Sequence, residues 1–115
     1  MKRILFIMVL ICTILSCDTK KSEQTKAKDE EIYQTSGIKE TISYLEKEIK
    51  RDPGSKAYYQ ARMGYYYIEE KDYANAEVML KKALETDGNL GFAYNELGYM
   101  YSLQDKQDEA LKTYI

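Results

Sequence analysis

Hydrophobic and polar positions divide the chain into three stretches with different periods. Ile4 to Leu15 is an apolar run broken only by Thr13, and it follows the cationic start Met1-Lys2-Arg3. Asp18 to Ser36 is polar and mixed in charge, with almost no large apolar side chain. From Gly37 onward, apolar residues return at helical spacing. Ile38, Ile42, Leu45 and Ile49 make one stripe of an amphipathic helix. Glu46 and Lys50 stand four apart on its polar side. Asp52-Pro53-Gly54 ends it, because proline disfavours helix in the residue before it and glycine allows a turn. Further helices are predicted over 57–70, 73–86 and 91–103, with a last one starting near Lys106. Asp72 is placed to be an N-cap, and Asp87-Gly88-Asn89 to be a turn with glycine just past a helix end.

The helical stretch repeats itself. Gln60-Ala61-Arg62-Met63-Gly64-Tyr65-Tyr66-Tyr67 and Tyr94-Asn95-Glu96-Leu97-Gly98-Tyr99-Met100-Tyr101 share an order of residue types at an offset of 34. Ala76 and Ala110 follow at the same offset, then Leu80 and Tyr114. A period of this length marks an array of helix-turn-helix units. At Met63-Gly64, Tyr67, Ala76, Leu80 and Ala83, and again at Leu97-Gly98, Tyr101, Ala110 and Tyr114, the chain resembles a tetratricopeptide repeat. The resemblance implies an all-α solenoid of antiparallel helix pairs, here about two and a half repeats. The units are 37–56 (a second helix and turn whose first helix has decayed), 57–90, and 91–115, cut short at its C-terminal end. Gly64 and Gly98 would let paired helices approach, met by Ala76 and Ala110, with Met63, Leu80, Leu84 and Leu97 filling between them. Gln60 stands where the family usually has a large aromatic, and Gly88 where it has proline. Arrays of this kind need about three repeats and a polar cap. The uncapped last helix would therefore present apolar edges open to self-association, or the chain would be a piece of a longer one.

The first helix of each repeat lines the concave face in this family. Carried over, the protein-binding groove is Tyr58, Tyr65 and Glu69 with Phe92, Asn95, Tyr99 and Ser102, and Ala61 and Ile68 on the same wall. The 34-residue offset equates Tyr58 with Phe92 and Tyr65 with Tyr99, giving two stacked aromatic pairs. Tyrosine suits peptide contact, since it offers rigid apolar area with a hydroxyl free to face water. Domains of this family that clamp chaperone tails carry lysine, arginine and asparagine in the groove. Ala61 and Tyr65 occupy two of those places, so an extended or helical segment held by aromatic contacts fits better.

The N-terminus adds an address. Twelve apolar residues make a helix of about 18 Å, too short for a bilayer core of about 30 Å and suited to a secretory signal. The run closes on Ile14-Leu15-Ser16-Cys17, which resembles a bacterial lipobox. That resemblance implies a signal peptide over 1–16, lipidation of Cys17 (palmitate among the acyl groups), and an extracytoplasmic protein anchored in the inner or outer membrane. Residues 17–36 then read as the lipidated cysteine and a flexible tether, with an average reach of about 22–26 Å and a maximum of roughly 65 Å.

Composition narrows the function classes. Without Lys2 and Arg3 the 17 basic residues fall to 15 against 19 acidic ones, a poor balance for nucleic acid. With Cys12 in the signal and Cys17 acylated, no disulfide pair remains. The chain has no histidine, no free thiol after acylation and no glycine-rich phosphate loop, so neither an enzyme nor a cofactor or metal site is expected. The leading reading is a membrane-anchored adaptor for an unknown protein or peptide of the cell envelope. A decayed fragment without function and a small-ligand carrier are the alternatives.

Overall fold

The computed structural model describes residues 28–114. The predicted signal peptide, Cys17 and the first part of the predicted tether lie outside them. The described chain is six α-helices with no strand: α1 over 28–36, α2 Ile38–Arg51, α3 Lys56–Glu69, α4 Tyr73–Thr86, α5 Gly91–Leu103 and α6 Gln107–Tyr114. A single 3₁₀ turn, Pro53–Ser55, joins α2 to α3. The all-α array of antiparallel helix pairs expected from the period is present. Among the described residues no helix is long and apolar enough to cross a membrane.

One stretch departs from the tether reading. Residues 28–36 are helical, with Asp29 fully buried and the Tyr33 hydroxyl donating to Glu70 at 3.0 Å. A polar composition suggests solvation only while its charges lack partners inside the fold, and Asp29 has one. The helix therefore supplies the first half of a pair with α2, which the sequence reading took as decayed. Its register hides it. Tyr33, Tyr67 and Tyr101 keep the 34-residue offset. The buried Thr41, Leu45 and Glu48 of α2 instead precede the buried Ala76, Leu80 and Ala83 of α4 by 35. The α1–α2 turn is a single residue, Gly37, at φ +87°, a conformation that glycine adopts without a Cβ clash.

The later turns share a different device. Lys71 and Asp105, themselves 34 apart, both take φ 59°. The carbonyls of Tyr67 and Tyr101 accept from the amides of Asp72 and Lys106, each at 2.9 Å. These six-to-one bonds close each helix end in a Schellman arrangement. Asp72 caps α4 as expected, its carboxylate accepting from the Asn75 amide at 3.3 Å. The turn after α4 does not use a left-handed Gly88. Asp87 holds it by accepting the Asn89 amide at 3.0 Å.

Two cores follow one another along the array. Leu45, Tyr59, Met63 and Tyr66 form the first, joined by Tyr33, Ile38 and Ile42 from α1 and α2. Ala61, Ala76, Leu80, Ala83, Leu97, Met100 and Ala110 belong to the second. Met63 thus packs towards α2, not beside Leu80 as the repeat logic suggested. Gly64 does what was expected of it: a Cβ there would lie 2.7 Å from Leu80 Cγ. At the far end Leu103 and Leu111 are 47% and 58% exposed.

Candidate binding groove

Curvature comes from which helices touch. The first helices α3 and α5 lie against each other, and α3 also packs on both α2 and α4. The second helices α2 and α4 do not approach one another. A stack close on one side and splayed on the other curves towards the close side, so α1, α3 and α5 form the inner face.

Of the predicted groove residues, Tyr58 and Phe92 come together, with ring centroids 6.0 Å apart and tilted by 42°. Tyr65 and Tyr99 form no ring pair among the described residues. Tyr65 is held from its own helix, by Tyr66 edge-on at 5.1 Å and by the Arg62 guanidinium 4.9 Å from its centroid. Tyr99 is 50% exposed and has no hydrogen-bond, ring or cation partner among the described residues. Glu69 and Asn95 are exposed, while Ser102 donates to the Gly98 carbonyl of its own helix at 3.0 Å. Ala61 and Ile68 are not wall residues. Both are buried in the second core, because their side of α3 turns inward against α4 and α5.

The strongest polar group on this side lay outside the predicted set. Arg62, 3% exposed, grips Asp29 of α1 with two bonds, Nε to Oδ2 at 3.1 Å and Nη2 to Oδ1 at 2.7 Å. Nη2 also reaches the Tyr66 hydroxyl at 2.9 Å, and that hydroxyl donates to Asp29. Burial alone would lower the pKa of Arg62, but the Asp29 bonds and charge raise it above the ordinary guanidinium value. The Tyr66 hydroxyl is pushed up by burial and by its bond to Asp29. Residue types alone carried one signal for this site: an arginine among tyrosines at a position that becomes Glu96 one period later.

Carboxylates surround the inner face. Glu96 is half-buried, and burial raises its pKa, with the charge of Glu69 adding and that of Arg62 opposing. Tyr65 is likewise raised by burial, then by Glu69 and Glu30, with Arg62 opposing and Glu96 adding less. Tyr65 therefore sits among carboxylates from three successive first helices. Two open clefts of about 410 and 450 Å³ lie elsewhere, along α2, and share Lys39 and Ser43 in their linings.

No family model matches the chain, and no curated protein matches it. A solved structure aligns over most of its length: the second TPR of Spaghetti (RPAP3), bound to the HSP90 peptide SRMEEVD. The likeness has a TM-score of 0.63 at 20% identity, over 84% of this chain and 89% of that one. The fold is tetratricopeptide-like. Within that fold the inner face of α1, α3 and α5 occupies the place of a solenoid's concave surface.

Proposed function

We propose that this protein is a lipid-anchored scaffold of the bacterial cell envelope that holds a segment of another protein on its inner face. One observation carries the binding reading: Tyr99 stands half-exposed on the inner face, without a hydrogen-bond, ring or cation partner among the described residues, on the same helix as Phe92 of the Tyr58–Phe92 pair. Exposed rigid aromatics on a preformed groove are what interface anchors look like. The RPAP3 domain of the same fold is bound to a peptide, which supports a peptide or protein partner here. A scaffold rather than an enzyme also agrees with the histidine-free composition. The anchor rests on Met1-Lys2-Arg3, the apolar run and Ile14-Leu15-Ser16-Cys17.

Three substitutions separate the parts of this reading. Cys17→Ser is expected to abolish incorporation of labelled fatty acid and release the protein from the membrane fraction. Retained label would rule out Cys17 as the acylation site. Tyr99→Ala and Tyr58→Ala are expected to abolish co-purification of the envelope partner from cross-linked membranes without altering the helical circular dichroism spectrum. An unchanged partner yield would move binding to another face.

A further inference from the structure

We propose that the inner face selects a cationic segment, seating a lysine or arginine side chain over Tyr99 beside Glu96 and Glu69; this rests on the inner face being the binding surface. The chain carries an internal precedent. In α3 the Arg62 guanidinium lies 4.9 Å from the Tyr65 ring centre and is held by the Asp29 carboxylate. One period later Tyr99 replaces Tyr65 and Glu96 replaces Arg62, so α5 keeps the ring but exchanges its cation for a carboxylate. The ring is left half-exposed with no cation over it among the described residues. A partner's cation would supply there what Arg62 supplies one repeat earlier.

The local field agrees. Arg62 is paired with Asp29 and its charge still opposes the pKa rise at Glu96 and Tyr65, while Glu30, Glu69 and Glu96 are the carboxylates acting on this part of the inner face. Glu96 is half-buried, where a carboxylate lacking a close counter-ion is disfavoured and an incoming ammonium or guanidinium gains most. An aromatic face next to a carboxylate favours a cation by two additive terms, quadrupole and charge. An acidic segment would meet repulsion from all three glutamates.

Fluorescence anisotropy of the full chain in detergent micelles tests this with three labelled peptides of equal length: lysine/arginine-rich, glutamate/aspartate-rich, and neutral with aromatics. The cationic peptide is expected to bind at least roughly tenfold tighter than the other two and to weaken as salt rises. Tyr99→Ala and Glu96→Gln should each weaken it several-fold to about tenfold, while Tyr99→Phe keeps most of the affinity because the ring face survives. Glu85→Gln, exposed on α4, should change nothing. Tighter binding of the acidic or neutral peptide, still lost in Tyr58→Ala, would overturn the charge preference and leave the groove standing. Cationic binding indifferent to Tyr99→Ala and Glu96→Gln would overturn the proposed seat. Failure of all three peptides would overturn the preference, and the groove itself would fall only if partner capture in membranes also survived Tyr58→Ala and Tyr99→Ala.

Discussion

Arg62 and Asp29 are 3% and 0% exposed, so neither partner can be lost without leaving a charge inside the protein. Asp29→Ala is expected to lower the unfolding free energy by about 3–5 kcal/mol, read by chemical denaturation. The pair Asp29→Leu with Arg62→Met should recover most of that loss, since a packed apolar pair needs no compensation for desolvation. If the double variant were as unstable as the single one, the ion pair would be contributing more than its own neutralisation. Gly64 is bound by sterics instead. A Cβ at 2.7 Å from Leu80 Cγ and 2.8 Å from Cδ2 forces α3 from α4 or displaces the leucine. Gly64→Ala should cost about 1–3 kcal/mol, and less in a Leu80→Ala background, where the obstructing atoms are gone. Equal penalties in both backgrounds would mean that the clash lies elsewhere.

The elements show how far residue pattern determines local structure. Helices α4 and α5 begin and end where the apolar period places them, because buried alanine and leucine at that spacing have one face to bury. Helix α1 was hidden, since Asp29 pairs with Arg62 and Tyr33 packs into the first core, and composition records charge without recording such distant partners. The groove was legible in the same uneven way. Tyr58 and Phe92 meet because both repeats present the same face, whereas Tyr65 is claimed by Arg62, a neighbour that its repeat counterpart Tyr99 lacks. Between elements, Glu77 of α4 joins Lys81 at 2.6 Å and accepts from the Tyr101 hydroxyl of α5 at 3.0 Å. The Lys81 bond lowers the Glu77 pKa despite opposing burial, and the Tyr101 bond adds to the lowering. A depressed carboxylate stabilises the fold above its unfolded pKa and loses that contribution as pH falls through the folded value. The Tm advantage of the natural protein over Glu77→Gln should therefore be present at neutral pH and shrink in acid. Lys81 is more than half exposed, which limits the effect to under about 1 kcal/mol. A difference that did not vary with pH would locate it in packing.

At the scale of the whole molecule, α3, with α5 against it and α1 joined to it through Asp29 and Tyr33, makes the inner face, and splayed second helices make the outer one. Tyr99 and Val78 mark the two sides, each 50% exposed, so they are equally accessible to a probe and differ in the face they occupy. Site-specific photo-crosslinking in intact cells uses that difference most directly, with a photoreactive phenylalanine placed at position 99 or at position 78 of the full chain. A discrete adduct from position 99 and none from position 78 is the predicted result. An adduct from position 78 alone would contradict the account and put the partner on the outer face.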